Sequence, residues 1–403
     1  MAKIALFIPS RIYGGAERQM ALLACQAADD GHEVTLIDSR VGIVSGIIND
    51  RKDINVRVYD GSTPVTISDS VVITQASYAF CLGSMLQMTK CDVRFWFMHP
   101  LNLPHMYLSK RLGLLLGGAI RAMFGRLYSQ KLLQLRGGVF FQSSDTRETV
   151  QNFYGLSFPI NFTGLLSEKR DLRPVKFEGE CSGFFELCWL GRLDSGSKLL
   201  VVKKILSDVA CSEHLNSVSK LHIVGDGPAR AELELFAGEL NLSQKVIFHG
   251  HLEYSELPSI IRSCILVFAH GTSVYEGVCC HVPVAVVNFF TSASQLQQMK
   301  YRLYSDDPDL TLGYLISDHL DPKISSGRTF NDLLENIIEP NNLKKITEIQ
   351  LTKLEGARNV GVDGCRLLYD APYKFNYRAD DVWLDKMFFF VRSKLINLRN
   401  IRV

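Results

Sequence analysis

Arg192, Lys198 and Glu276 are the residues of this sequence whose types and spacing best suit chemistry. Arg192 stands two residues after the apolar run Phe185 to Leu190, and Lys198 follows six residues later. Two fixed cations just past a strand suit the binding of phosphate groups. Glu276 lies between two further apolar runs, Ile265 to Ala269 and Val284 to Val287, and is preceded by Gly271-Thr272-Ser273. Ser273 followed three residues later by Glu276 reads as a capping box, which places a helix N-terminus at a strand end. Backbone amides at such a point favour an anion, and a carboxylate there can accept hydroxyl protons. The plain alternatives are a glutamate that only caps its helix and two solvated surface cations.

The elements around these residues predict an α/β chain with two Rossmann-like, doubly wound domains. A first strand, Ile4 to Pro9, leads into a loop with Gly14 and Gly15, then a helix whose Met20, Leu23, Ala24 and Ala27 share one face. Strands at Val34 to Ile37, Val71 to Thr74, Val93 to Met98 and Val139 to Gln142 alternate with helical stretches, the pattern of a parallel sheet. The periodicity fails around Phe158 to Ser182, where Pro159, Gly164, Pro174 and Gly179 collect among charges. The expected division is a first domain over 1–163 completed by a C-terminal helix at 380–403, a linker at 164–182, and a second domain over 183–379. The second domain restarts the pattern with strands at Phe185 to Leu190, Leu221 to Val224, Val246 to Phe248, Ile265 to Phe268 and Val284 to Val287, and a helix over Glu256 to Arg262. Pro228 suits the first turn of the helix that carries Leu233, Phe236, Ala237 and Leu240. From Ser292 to about Pro372 the reading is helices and loops.

At 403 residues, 47% hydrophobic and 21% charged, the chain has the composition of an ordinary globular protein. No uninterrupted apolar stretch is long enough to cross a bilayer, and the N-terminal residues read as no secretion signal. Ten cysteines without a Cys-x-x-Cys suit reduced structural thiols better than a disulfide framework or a zinc site. The expected location is cytoplasmic.

Taken in order, Gly191-Arg192-Leu193-Asp194 with Lys198, Leu221-His-Ile-Val-Gly-Asp-Gly-Pro228, Val246-Ile-Phe-His-Gly-His251 with Glu256-Leu257, Gly271-Thr-Ser-x-x-Glu-Gly277 and Val282-Pro-Val closely resemble the C-terminal half of GT-B glycosyltransferases. The large retaining glycosyltransferase family 4 is the nearest pattern, over residues 185–290 most closely and 1–40 more loosely. The resemblance implies that Arg192 and Lys198 contact the diphosphate of a nucleotide sugar and that Glu276 holds ribose hydroxyls. It further implies a donor-binding role for Gly271, Thr272 and Ser273, and for Gly250 and His251 beside the base. The Gly14-Gly15 loop would approach the donor phosphate and sugar from the first, acceptor-binding domain. His99, between a strand and Pro100, matches a position where many members place a histidine near the transferred sugar. The chemistry agrees with these roles, since cleaving a sugar–phosphate bond makes an oxocarbenium-like centre and a diphosphate leaving group that fixed cations stabilise without a metal. The expected donor is UDP-linked, with no cofactor and no metal.

One position departs from the pattern. The family carries a second glutamate eight residues before the one matching Glu276, and Phe268 stands there. His270 or the amides of Gly271, Thr272 and Ser273 would then replace its contact to the sugar. Two motifs point elsewhere and fail. Gly225-Asp-Gly-Pro-Ala-Arg230 has an arginine where a dinucleotide fingerprint needs its third glycine. Asp307-Pro-Asp309 imitates an Asp-x-Asp metal site but reads as a turn.

Net charge is only +2, yet no Asp or Glu occurs from Val93 to Ser144, which holds Lys110, Arg111, Arg121, Arg126, Lys131 and Arg136. On a helix, Leu112, Leu116, Ile120, Met123 and Leu127 share one face, while Lys110, Arg111, Arg121 and Arg136 lie roughly opposite. Mixed basic and apolar side chains suit the surface of an anionic bilayer better than nucleic acid. The C-terminal Val382 to Val403, rich in Phe, Arg and Lys, is a second candidate. These features predict a hexosyltransferase acting on a glycan or lipid-linked acceptor in bacterial surface polysaccharide assembly, peripheral on the inner face of the cytoplasmic membrane. A nucleotide-sugar epimerase of the same fold and a catalytically silent partner subunit are the rival readings.

Overall fold

The computed structural model describes residues 1–11, 13–48, 51–79, 81–99, 138–167, 184–253, 255–290, 293–306, 312–313, 315–316, 327–339 and 341–370. The chain divides into two compact units, Met1–Glu168 with the residues from Arg358 onward, and Lys169–Ala357. The basic residues Lys110, Arg111, Arg121, Arg126, Lys131 and Arg136, the C-terminal 380–403 helix and Asp307-Pro-Asp309 lie outside the described residues.

The first unit is built on strands β1 (Lys3–Phe7), β2 (Glu33–Ser39), β3 (Ile54–Tyr59), β4 (Val65–Ser68), β5 (Val71–Gln75), β6 (Leu86–Thr89), β7 (Asp92–Phe97) and β8 (Val139–Phe141). Its main sheet runs β3-β2-β1-β5-β7-β8, with every pairing parallel. Parallel sheets are covered on both faces, so their inner strands are nearly continuous apolar runs. In β1, Ile4, Ala5, Leu6 and Phe7 are all buried, and alternate residues feed two separate cores. β3 was not expected. It is an edge strand with Asn55 to Val58 exposed, so it lacks the apolar run that marks the inner strands. β4 and β6 form a further small parallel pair.

Helices α1 (Gly15–Asp29), α2 (Ile43–Ile47) and α3 (Ser144–Tyr154) follow β1, β2 and β8. The side chain of Gln19 on α1 donates to the carbonyl of Leu166 and accepts from its amide, both at 2.8 Å. Residues 164–167, read from sequence as the start of a linker, are therefore packed structure, with Leu165 and Leu166 buried.

The second unit repeats the architecture with strands β9 (Phe185–Leu190), β10 (Val218–Val224), β11 (Val246–Gly250), β12 (Cys264–Ala269), β13 (Val284–Val286), β14 (Phe289–Phe290), β15 (Arg302–Leu303) and β16 (Leu315–Ile316). Its sheet runs β11-β10-β9-β12-β13-β15, parallel except for β15. β14 pairs with β16, so strands occur within 292–372, where only helices and loops were expected. The helices are α4 (Ser197–Cys211), α5 (Arg230–Glu239), α6 (Leu257–Ile261), α7 (Ser273–Cys279), α8 (Phe330–Ile338) and α9 (Asn342–Asp370). Leu187, Trp189, Ile223, Leu266 and Phe268 meet the apolar faces of α4, α5 and α8 in one core. Pro228 falls two residues before α5 rather than in its first turn, because Gly227 to Ala229 form a separate turn there. Among the described residues, no helix is long and apolar enough to cross a membrane.

From Arg358 onward, α9 packs in the first unit. Its Arg366 and the Tyr369 hydroxyl hold Asp30 at the end of α1 at 2.6 to 3.0 Å. The helix reaches residues 163–165 only because glycines face them. A Cβ at Gly361 would stand 2.1 Å from the Leu165 carbonyl oxygen, and one at Gly364 would stand 2.5 Å from that of Thr163. Backbone cannot yield as a flexible side chain can. Gly361→Ala should therefore destabilise the protein by about 2 kcal/mol or more, read as a lower midpoint in urea unfolding, whereas Gly356→Ala, which meets nothing, should be neutral or stabilising.

Candidate functional site

In an open α/β sheet, ligands bind beyond the carboxyl ends of the strands, at the point where strand order reverses. In the second unit that point lies between β9 and β12. The loop after β9 carries Arg192 and leads to Lys198 in the first turn of α4, and the loop after β12 carries His270 to Thr272 and leads to Glu276 on α7. Arg192, Lys198, Gly271, Thr272, Ser273 and Glu276 are thus assembled from the two loop–helix junctions that flank the switch point.

The loop after β9 is held by backbone. The Gly191 amide donates to Val224, the Leu193 amide to Asp226, and the Ala229 amide back to Leu193. The two chains lie so close that a Cβ on Gly225 would stand 2.2 Å from the Gly191 carbonyl oxygen, and one on Gly227 the same distance from that of Leu193. Both glycines also have positive φ, +126° and +154°, so no other residue substitutes without strain. The Gly225 amide further donates to Gly250 at 2.9 Å, which ties in the loop that continues to exposed His251. Sequence reasoning met Gly225-Asp-Gly227 as one motif of the family resemblance and as a failed dinucleotide fingerprint, and gave it no part in holding the Arg192 loop. Its two glycines so close after a strand were the available sign of a backbone contact.

Lys198 sits at the start of the 15-residue α4, where the helix dipole already favours negative charge. Arg192 is exposed and Lys198 is half-buried. Loss of water around its ammonium pushes the Lys198 pKa down to about 8; Asp194 opposes that shift and the charge of Arg192 adds to it. Ser197 beside it accepts a hydrogen bond from the Phe290 amide at 2.6 Å, which fastens the helix start to the strand beyond β13.

At the other junction the capping box is not formed. Thr272 is the N-cap, in helical rather than extended conformation and without a side-chain cap bond, so Ser273 is the first helical residue and Glu276 falls one position too late. Glu276 is buried, at 7% exposure, within a helix whose residues from Val274 to Cys279 are all buried. The amides do not all remain available for a ligand: Gly271 donates to Leu312, Val274 to Gly271 and Tyr275 to Thr272. His270 is buried at the end of β12, its ring stacked on Phe289 at 4.0 Å and edge-on to Trp189 at 5.7 Å.

Phe268 is not a site residue. It is fully buried inside β12, stacked on Phe330 at 6.0 Å and edge-on to Tyr301 at 5.3 Å, on the core side of the sheet. His249 likewise belongs to the sheet, its ring 5.0 Å from that of His222, and burial lowers its pKa.

In the first unit, Gly14 is the N-cap of α1 and Gly15 its first residue, directly after β1 at the β1/β5 switch point. Gly14 is extended, so backbone strain does not require a glycine, and an added Cβ would meet only the Glu17 carboxylate, at 2.8 Å. His99 follows the end of β7 by two residues, half-buried, one strand further from that switch point.

Residues 185–344 match the family model described as glycosyl transferases group 1. No curated protein sequence matches the chain. Among solved structures, a glycosyltransferase from Rickettsia africae shares 15% identity, with 92% of this chain and 98% of that one covered at a TM-score of 0.57. An E. coli structure described as trehalose-6-phosphate bound with UDP-2-fluoro glucose shares 10% identity over 91% and 99%, at 0.57. S. aureus TarM, in a complex with fondaparinux, alpha-GlcNAc-glycerol and UDP, shares 9% over 97% and 100%, at 0.51. At these identities the likeness is one of fold, and the fold is GT-B.

Lys198 yields a pH test. Its folded pKa lies below that of a free lysine, so charging it costs stability below pH about 8, and that cost is relieved as pH rises from there towards 10.5. An anion needs the charged form. Affinity for inorganic pyrophosphate, measured by calorimetry, should fall as pH rises through about 8, and Lys198→Met should weaken it at pH 7, remove that dependence and raise the Tm of the free protein.

Proposed function

We propose that this chain, whose residues 185–344 match the glycosyl transferases group 1 model within a GT-B fold, is a retaining glycosyltransferase of family 4 type. It moves a hexose-type unit from a nucleotide diphosphate sugar, UDP-linked, to a glycan or lipid-linked acceptor without a metal. The observation that carries this reading is the placement of Arg192 and Lys198 on one loop–helix junction and Glu276 on the other, on either side of the second sheet's switch point. The UDP-sugar analogue in the E. coli structure, and the UDP and glycosylated glycerol bound to TarM, support a nucleotide-sugar donor and a separate acceptor.

In this mechanism Arg192 and Lys198 neutralise the diphosphate as it leaves. Fixed cations act most strongly where water is scarce, and the lowered pKa of Lys198 reports such surroundings. Glu276 accepts hydrogen bonds from the ribose hydroxyls, and the Gly271-Thr272-Ser273 loop with His270 bounds the sugar. Gly250 and His251 flank the base. In the first unit, Gly14, Gly15 and His99 are the residues proposed for the acceptor side of the reaction.

Donor hydrolysis by the purified protein, screened across nucleotide sugars without metal and with EDTA, tests this reading. Arg192→Ala and Glu276→Ala should each lower turnover at least about tenfold. Turnover by both variants at the parental rate would reject it. Release of an epimerised nucleotide sugar would favour an epimerase, and failure to bind any donor would favour a silent partner subunit.

The setting we propose is bacterial surface polysaccharide assembly, with the protein cytoplasmic and peripheral on the inner face of the membrane. The basic stretch without Asp or Glu from Val93 to Ser144 supports this placement. The chain should sediment with vesicles containing anionic lipid at low salt and be released at high salt, and sedimentation should fall when Arg121, Arg126 and Lys131 are replaced together by glutamine.

A further inference from the structure

The face of the second sheet opposite its main core carries polar side chains on four neighbouring strands. Glu186 is on β9, His222 on β10, His249 on β11 and Cys264 on β12. His222 and Cys264 are buried, at 6% and 1% exposure, and the Glu186 side chain is 21% exposed. His222 Nε2 lies 3.1 Å from Glu186 Oε2, and one donor atom each from Glu186, His222 and Cys264 lies within 4.8 Å of the others.

We propose that Glu186, His222 and Cys264 form a zinc site that ties β10, β9 and β12 together. Carboxylate, imidazole and thiolate are zinc's own ligand types, and three protein ligands leave a fourth position for water on the side where Ser263 is exposed. Bond lengths of about 2.0 Å to nitrogen and oxygen and about 2.3 Å to sulfur require the three donors to close by on the order of an ångström. The surroundings orient each ligand. His222 Nδ1 is held by His249 Nε2 at 2.8 Å, which directs Nε2 towards Glu186, and Lys220 lies 3.4 Å from Glu186 Oε1, leaving Oε2 on the metal side. The Ser263 hydroxyl, now donating to Oε2 at 2.7 Å, has the Ile260 carbonyl as an alternative acceptor at 2.9 Å. The Cys264 thiol donates to that same carbonyl at 3.3 Å and gives up its proton to solvent when zinc binds.

Glu186 and Cys264 sit at the starts of their strands, whereas Arg192 and His270 lie beyond the ends. Along the strand the separation is on the order of 13 Å or more, so the ion would brace the sheet rather than touch the donor. The proposal is therefore independent of the transferase reading.

The full-length protein should bind zinc with one-to-one stoichiometry, measured by competition with a chromogenic chelator. Cobalt(II) should give a near-ultraviolet thiolate-to-cobalt band that persists in Cys211→Ser, which removes an exposed thiol, and disappears in Cys264→Ser. Zinc should raise the parental Tm by several degrees and leave the Tm of His222→Gln unchanged, a variant that keeps a polar side chain if Cys264→Ser does not fold. Absence of bound zinc at micromolar concentrations, a cobalt band lost in Cys211→Ser instead, or equal zinc shifts in parent and His222→Gln would each overturn the site.

Discussion

The loops after β9 and β10 meet backbone to backbone, with no side chain between Gly225 and the Gly191 carbonyl or between Gly227 and that of Leu193. The proposed donor site depends on this contact. Arg192 stands between the two contact points, so its position is set by peptide groups that hydrogen-bond across the junction rather than by its own contacts. A loop fixed in this way loses little further entropy when an anion arrives, the condition under which electrostatic preorganisation is effective. The cost falls on Lys198, whose ammonium is held where water is scarce before any ligand is present.

The second junction is built differently. α7 has only seven residues, begins without a side-chain cap and directs several early amides to neighbouring carbonyls. Its contribution is a buried platform that presents Glu276, while His270, wedged against Trp189 and Phe289, closes the end of β12. The departure from the family pattern looks different in this light. Phe268 does not fill the place of a lost carboxylate, since its ring belongs to the core with Tyr301 and Phe330.

The first unit uses close backbone approach for another purpose. Gly361 and Gly364 bring α9 against residues 163–165, and Gln19 of α1 grips Leu166 next to them. A segment that reads as linker because of its glycine and polar neighbours is thereby enclosed between two helices. Composition alone cannot separate a loose linker from a strand of coil held in this way, because the holding residues lie about 150 and 200 positions away.

What the sequence alone determined is the grammar of the fold and the order of its chemistry. Inner strands of a parallel sheet are buried on both faces, so β1, β5, β7, β9, β12 and β13 announce themselves as apolar runs, and Arg192, Lys198 and Glu276 are legible because each follows such a run at short range. β3 escaped because an edge strand needs no such run, and the capping box at Ser273 failed because motif spacing does not fix the dihedral angles of the cap. Only the tertiary structure decided that Phe268 faces the core, that Gly225 and Gly227 hold the Arg192 loop, and that Glu186, His222 and Cys264 share one face. Strand neighbours come from distant parts of the chain, so the meeting of a glutamate, a histidine and a cysteine spread over residues 186 to 264 leaves no local spacing to read.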